Sequence, residues 1–171
     1  MKGLKKLGNK RGFSLFESIV ALLVISILTV GITTGVNAAV SVYKKSLSYT
    51  EAEVLATTID IALSDVLRYS SSIDKKEEEG KEDVIHFTNA NYGVINGYLC
   101  LRDGRIYLNQ TFEEDDGAPP LLNGGMYTSM KIDSFTLTYK DEFFSGEYEV
   151  QSKENSTLNK SYNFCFRTLA E

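Results

Sequence analysis

This 171-residue chain has little that could serve catalysis or metal binding. It holds two cysteines and one histidine, too few for the usual zinc-site spacings. No Ser/His/Asp or Cys/His arrangement and no phosphate-binding loop is visible. The single histidine, His86, stands in a strand-like run from Val84 to Thr88, so we expect it to be structural. The sequence therefore predicts no metal, no cofactor and no enzymatic activity.

Charge is absent from one long stretch of the chain. No residue from Ser18 to Tyr43 is charged, and the apolar part, Ile19 to Val42, has about 24 residues. As a helix it would extend ~36 Å, enough to cross a bilayer core of ~30 Å. Residues 1–12 contain no acid but five basic residues: Lys2, Lys5, Lys6, Lys10 and Arg11. This asymmetry predicts a single membrane pass with a cytoplasmic N-terminus and everything after the span outside.

One acid lies at the edge of the apolar stretch. Glu17 precedes the charge-free run directly. A carboxylate there is costly, by up to ~2.5–3.5 kcal/mol if it reaches the bilayer centre, so a partner or a function is expected for it. Residues Gly12-Phe13-Ser14-Leu15-Phe16-Glu17, after a basic leader and before an apolar helix, resemble the class III signal of type IV prepilins and pseudopilins.

The resemblance implies a specific maturation. A membrane peptidase of that family would cut between Gly12 and Phe13, and the new N-terminal Phe13 would be N-methylated. Glu17, at the fifth mature position, would pair with the amino group of a neighbouring subunit's first residue and set the register between subunits. Two other interpretations stay open. One is a conventional secretory signal cut near Ala38-Ala39, and the other is a plain signal anchor with a chance acid.

The charge that remains after the leader is strongly acidic. Residues 13–171 carry 13 basic and 23 acidic side chains, a net of −10. Such a body repels phosphate, so no direct nucleic-acid binding is expected. Two cysteines, Cys100 and Cys165, fall in the predicted extracytoplasmic part. A disulfide between them would close a loop of about 66 residues and contribute ~4 kcal/mol; the alternative is two buried thiols.

The order of elements predicts an α+β fold. No proline interrupts Phe13 to Ser72, and apolar residues recur every three to four positions from Leu47 to Tyr69, so one long helix is expected over Phe13–Ser71. The charged segment Asp74–Asp83 is interpreted as a solvated loop. Strands are predicted at residues 84–88, 98–102, 105–109, 131–139, 147–153 and 161–167, with Asp103-Gly104 as a hairpin turn.

In residues 131–139 the alternation places Ile132 on one face, and Asp133, Phe135, Leu137 and Tyr139 on the face predicted to cover the helix. The predicted divisions are a leader (1–12), a membrane-spanning and filament-core helix (13–43), an amphipathic half-helix (44–72) and an extracytoplasmic antiparallel sheet head (73–171). A long helix under such a sheet is the pilin layout, as the resemblance implies.

A second, shorter resemblance lies in the head. The run Pro120-Leu121-Leu122-Asn123-Gly124-Gly125, followed by a strand ending Leu137-Thr138-Tyr139-Lys140-Asp141, is similar to minor pilins and minor pseudopilins of the W or J type. It implies a subunit that helps initiate or cap a type IV pilus-like or type II secretion-like filament.

Implied partners are other pilin subunits, the prepilin peptidase, the assembly platform and the cytoplasmic membrane, with the head at the cell surface after assembly. The alternatives are a competence pseudopilin for DNA uptake and a membrane-anchored extracellular binding domain or enzyme. Calcium at Glu113–Asp116 is a further alternative to a solvated loop, although the EF-hand spacing is absent.

Overall fold

The structure is a computed structural model that describes residues 15–76, 84–109, 118, 120–154 and 158–169. One helix, α1 (Leu15–Arg68), precedes seven strands in these ranges. The strands are β1 (Ser71–Lys76), β2 (Val84–Asn89), β3 (Val94–Arg102), β4 (Arg105–Asn109), β5 (Met130–Lys140), β6 (Phe143–Ser152) and β7 (Asn159–Arg167). The predicted α+β class is confirmed. By compactness the chain divides into two units, Met1–Lys45 and Ser46–Glu171.

The strands form two antiparallel sheets, whereas the sequence predicted one. β1-β2-β3-β4 make a four-stranded sheet, and β5-β6-β7 make a three-stranded one. All neighbours in each sheet are also neighbours along the chain, so neither sheet contains a crossover between its described strands. The amide of Ile132 in β5 donates to the Gly104 carbonyl at 2.9 Å, which ties the second sheet to the β3–β4 turn.

One face of the helix after Lys45 forms the base of the core. Its buried residues recur at helical spacing, as expected for one apolar stripe: Ala52, Leu55, Ala56, Ile59, Leu63, Val66 and Leu67. They join one apolar cluster with side chains from both sheets, among them Phe87, Ile106 and Phe144. The predicted amphipathic helix is therefore confirmed here.

The two long hairpins turn through left-handed backbone. Asp103 and Gly104 have φ of 49° and 71°, the conformation that a two-residue type I′ turn requires, so the predicted β3–β4 hairpin is confirmed. Asp141 and Glu142 make the β5–β6 turn with φ of 51° and 66°. This second turn contains no glycine, and the sequence analysis consequently began β6 four residues too late.

Two sequence predictions near the end of the helix are wrong. The helix ends at Arg68, not at Ser71, and Ser71–Lys76 is a strand that pairs with β2. The charge of Asp74–Lys76 favoured a loop, but an edge strand tolerates charged residues because one side of it faces solvent. Ser70 supports the earlier ending, since its buried hydroxyl donates to the Val66 carbonyl of the last helical turn at 2.7 Å. Residues 77–83 lie outside the described residues.

A bulge in β5 reverses part of the predicted alternation. The pairing with β6 shifts between Ile132 and Ser134, which adds one residue to β5. Ile132 is therefore buried and Asp133 exposed, contrary to the prediction. Beyond the bulge Phe135, Leu137 and Tyr139 do pack on the core, as predicted.

Candidate functional site

The first unit presents an apolar helix without any protein covering it. Every side chain from Leu15 to Lys45 is exposed. An 18-residue window of this helix has a mean hydropathy of 2.5 with none of it buried, so it is long and apolar enough to cross a membrane by length and composition. A surface of this size requires lipid or other protein around it. Large side chains with exposed fractions above 60% include Leu22, Ile27, Val30 and Ile32.

Four hydroxyl side chains in this stretch are satisfied within the helix. Ser26, Thr29 and Thr33 each donate a hydroxyl hydrogen bond at 2.8 Å to the carbonyl four residues earlier. Thr34 does the same to Val30 at 2.5 Å. Hydroxyls bonded in this way require no water, which is the condition for placing them in hydrocarbon or in a packed helix bundle. The stretch is therefore compatible with both surroundings.

Glu17 lies in the first described turn of α1 and is exposed. An acid at this end of a helix is favoured by the helix dipole. No other charged residue follows before Lys44. The carboxylate is therefore the one charged group that the described part of the chain places at the start of the apolar surface. Gly12 and Phe13, the predicted cleavage and methylation residues, lie outside the described residues.

The second half of the helix is fastened to the sheets by buried polar contacts. The Tyr148 hydroxyl on β6 lies 3.0 Å from the Ala56 carbonyl oxygen and 2.8 Å from Asp60 Oδ1, so its one proton is shared between two acceptors on α1. Burial raises the pKa of Tyr148, and the hydrogen bond to Asp60 adds to this. Burial also raises the pKa of Asp60, while the hydrogen bond from Tyr148 opposes that change.

Three further side chains tie the head to the same helix. Asn89 Nδ2 donates to the Val66 carbonyl at 2.6 Å, and its Oδ1 accepts from the amides of the following turn. Ser129 Oγ donates to Glu51 Oε2 at 2.7 Å. Lys160 on β7 forms an ion pair with Glu53, and this hydrogen bond lowers the pKa of Glu53. These contacts hold both sheets on one side of α1.

The predicted disulfide is not formed in the structure, where both cysteines are thiols. Cys100 lies on β3, where its sulfur accepts from Asn109 Nδ2 at 3.4 Å. Cys165 lies on β7 in the other sheet and is exposed, between the core-packed Phe164 and Phe166. Side chains alternate along a strand, so Cys165 faces away from the core. The alternative of two buried thiols is wrong for Cys165 as well.

Other residues singled out in the sequence have structural surroundings. His86 is 1% exposed, its ring lies 5.4 Å from that of Tyr98, and its Nδ1 is 3.2 Å from the Asn96 carbonyl oxygen. Asn123 accepts from the Gly125 amide at 3.1 Å and so starts the short turn after Pro120. Within the described ranges no group of three His, Cys, Asp or Glu side chains could hold a metal. The alternative calcium site, Glu113–Asp116, lies outside them.

The contacts that fasten the head were not predicted from the sequence. In the sequence Asp60 is one of the acids between the apolar positions of the amphipathic helix, and Asn89 follows the strand predicted at residues 84–88. Nothing local marks either residue, because their partners lie 88 and 23 residues away along the chain. The same is true of Tyr148, which lies in the strand predicted at residues 147–153 without any indication of a polar partner.

Comparison with known proteins gives one match, at the N-terminus. Residues 7–33 match the family model of the prokaryotic N-terminal methylation motif. No curated protein and no solved structure matches the chain. The matched range includes Glu17 and the first half of the apolar run, so the motif and the fold support a type IV pilin- or pseudopilin-like protein. They are also consistent with membrane anchoring, with assembly among pilin subunits and with processing by a prepilin peptidase.

Proposed function

We propose that this protein is a minor pilin or pseudopilin, of the W or J type, that helps to initiate or cap a type IV pilus-like or type II secretion-like filament. The role is structural, not catalytic. The observation that carries the proposal is the wholly exposed apolar helix of the first unit, beginning with an acid inside a methylation motif. An ordinary soluble domain does not leave such a surface uncovered.

The proposed mechanism begins in the membrane. The precursor waits in the cytoplasmic membrane with its basic leader in the cytoplasm and its head outside, as the charge asymmetry around the span supports. A prepilin peptidase cuts after Gly12, and the amine of Phe13 is freed and methylated. Methylation leaves the amine positively charged, so it remains a partner for a carboxylate.

Glu17 is proposed to guide entry into the filament. In an apolar bundle an unpaired carboxylate is strongly penalised, whereas one paired with an amine is tolerated. The Glu17 carboxylate therefore pairs with the Phe13 amine of a neighbouring subunit, and only one axial offset between two helices allows the pair to form. The remaining apolar side chains then pack against neighbouring helices instead of lipid.

The head is proposed to act by contact with other proteins. Its net charge is acidic, so we expect no direct nucleic-acid binding. Partners are the other pilin subunits and the assembly platform. Residues Pro120 to Gly125 form a turn in which Leu122 is buried. The position of this turn before β5 is the support that the head offers for the proposed W or J type.

The test is the mass of the mature N-terminal peptide, from protein in its native membrane or in the sheared surface fraction. We expect a chain that begins at N-methylated Phe13. A chain that begins at Met1, or one cut near Ala39, would refute the proposal, because neither product comes from a prepilin peptidase.

A second measurement addresses Glu17 directly. We expect Glu17→Val to be inserted and cleaved normally but to be largely lost from sheared filaments, measured by immunoblot against the membrane pool. Ser18→Val, at the adjacent position, retains the carboxylate and serves as the matched control. Equal incorporation of both variants would remove the role proposed for Glu17.

A further inference from the structure

The second half of α1 carries an apolar stripe that the sheets leave uncovered. Leu47, Val54 and Ile61 follow one another at intervals of seven residues and are 45%, 53% and 60% exposed. Thr50, Thr57 and Ser64 alternate with them, three residues after each. Apolar residues at the first position of each seven, with small residues at the fourth, give a surface along which a second helix can pack. We call these six residues the acidic seam, because acidic residues, described below, flank them on the helix.

The surface of the seam has the form that a second helix requires. A shallow concavity on α1 is lined by Thr50, Glu53, Val54, Thr57 and Thr58. The first four of these stand at i, i+3, i+4 and i+7, the set that forms a hole for one side chain of a facing helix. Thr50 donates its hydroxyl to the Ser46 carbonyl at 3.0 Å, and Thr58 donates to Val54 at 2.7 Å. Because these two hydroxyls are already satisfied, an apolar side chain that packs against them leaves neither donor unpaired.

Between Ser46 and Leu67 the charges that the helix itself places beside the seam are all acidic. No Lys or Arg occurs from Ser46 to Leu67, and the four charged residues there are Glu51, Glu53, Asp60 and Asp65. In the heptad that places Leu47, Val54 and Ile61 first, these acids occupy the two positions that flank the seam. Glu53 is paired with Lys160 of β7. Within the described residues, Glu51 accepts from the Ser129 hydroxyl and Asp60 from the Tyr148 hydroxyl, and both donors are neutral.

These flanking acids decide against a second copy as the occupant. In a parallel, in-register pair of this helix, Asp60 of one copy would face Asp65 of the other, twice by symmetry. In an antiparallel pair centred on the middle of the seam, the flanking acids of one copy would again lie near acids of the other. Like charges at these positions disfavour pairing and choose a different partner. An anionic membrane surface is disfavoured for the same reason.

We infer that the acidic seam docks a helix of a different protein, one with an apolar heptad stripe flanked by Lys or Arg. The inference rests on the proposed function in one respect: the docked helix belongs to a neighbouring protein that is also anchored in the membrane. The seam lies on the side of α1 opposite the buried residues Leu55, Ile59 and Leu63, so docking leaves the sheets undisturbed. The chain would thus enter its assembly beside an unlike subunit and not beside itself.

The experiment is site-specific photo-cross-linking of the full chain in the cells that make it. A benzophenone amino acid replaces Ile61 in the seam or, as the control, Ile95 on β3, which is 75% exposed. Cross-linked peptides are sequenced by mass spectrometry. We expect a product specific to position 61, on a different protein, within a segment with apolar residues at heptad spacing and Lys or Arg beside them. Products on a second copy, on a segment without basic residues, or equal at both positions would overturn the inference.

Two variants test the apolar and the charged part separately. We expect Val54→Asp to lower the yield at position 61 about tenfold and Asp65→Lys to lower it about threefold. Asp74→Lys, on exposed β1, is the charge control and should not change the yield. Yields are normalised to the amount of mature chain in the membrane, so a folding defect is not read as lost docking. Unchanged cross-linking yield in both Val54→Asp and Asp65→Lys would contradict the inference.

The same samples separate this inference from the proposed function. The mass of the N-terminal peptide reports whether Phe13 begins the mature chain, independently of any cross-link. A processed chain without the expected product would refute the seam alone. An unprocessed chain that still gives the product would refute the filament proposal and leave the docking surface standing.

Discussion

The two halves of α1 are the same secondary structure in opposite surroundings. From Leu15 to Lys45 every side chain is exposed, and from Ala52 to Leu67 seven side chains are buried under the sheets. The first half is apolar on all sides, so its stability depends on lipid or on other helices. The second half is apolar on two sides, one used by the head and one left open. The chain therefore has an internal core at one end of the helix only.

This difference predicts which substitutions change the stability of the head and which change membrane insertion or assembly. A side chain on the first half is exposed in the isolated chain, so its loss should appear in membrane insertion or assembly. A side chain on the buried face of the second half contributes to the head itself. The free energy of unfolding of the head, measured for the full chain in detergent by urea denaturation, should therefore separate the two.

The largest loss of stability is expected from a buried residue on the second half, compared with an exposed residue two positions before it. Leu63 is fully buried and Ile61 is 60% exposed. We expect Leu63→Ala to lower the free energy of unfolding by ~2–5 kcal/mol, because it removes apolar contacts and leaves a cavity. Ile61→Ala should change it by less than ~0.5 kcal/mol. Similar losses in both variants would mean that the seam is packed within the head, contrary to the structure.

Two glycines provide the next comparison. An added Cβ at Gly146 would overlap the Thr136 carbonyl oxygen and lie 2.7 Å from Phe164 Cζ. We expect Gly146→Ala to destabilise the head by ~1–3 kcal/mol through overpacking. At Gly31, on the first half, no atom lies within 4 Å of such a Cβ, so Gly31→Ala should leave unfolding of the head unchanged. The melting temperatures of the two variants in the same detergent would show this; a stable Gly146→Ala would speak against the close pairing of β5, β6 and β7.

A smaller loss is expected where a hydroxyl links helix and sheet. Tyr148→Phe removes the donor to the Ala56 carbonyl and to Asp60 while keeping the buried ring. We expect a loss of ~1–2 kcal/mol, because one buried and one partly buried acceptor lose their donor. The matched control is Tyr43→Phe on the first half, where the side chain is 68% exposed. If both variants unfold like the parent chain, the hydroxyl does not hold β6 on α1.

The smallest effect concerns pH. Burial raises the pKa of Asp60 above its ordinary 3.8, so between that value and the raised one the folded chain holds more protons than the unfolded chain. The free energy of unfolding contributed by this group therefore falls as pH rises through that interval. Asp60→Asn keeps an acceptor for Tyr148 and loses this dependence, so its stability relative to the parent should rise with pH above 3.8 and then level off.

Urea denaturation at several pH values from about 4 to 7 covers the interval in which a raised carboxyl pKa acts. Asp65→Asn is the control, since Asp65 is exposed on the same helix. A relative stability of Asp60→Asn that falls as pH rises would show that the pKa of Asp60 is lowered in the folded chain, and would contradict the burial described for it.

Much of the head could be predicted because the signals are local. Val84 to Thr88 and Arg105 to Asn109 alternate as strands do, and Asp103-Gly104 specifies a tight turn through backbone conformations that few residue pairs adopt. The bulge at Ile132 could not be predicted, since one extra residue in a strand changes the pairing partner but not the composition. The strand Ser71–Lys76 was missed because its pairing with β2 outweighs its own unfavourable charges.

In the candidate site, too, features of one continuous segment could be predicted, whereas contacts between distant segments could not. Glu17 and the charge-free run after it were visible in the sequence, because membrane compatibility follows from the composition and length of one continuous segment. The bond between Cys100 and Cys165 was predicted wrongly, because disulfide formation depends on the distance and direction of two side chains that the sheets place in separate layers.

Composition and order along the chain were thus enough to fix the basic leader, the apolar span, the long helix and the strand-rich head. Each of these depends on residues that are neighbours in sequence. The face of α1 that is buried, the acid that Tyr148 contacts and the seam that stays open depend on how strands more than 80 residues away close over the helix. Packing determines these three features, because the free energy of burial comes from contacts between residues that become neighbours only in the folded chain.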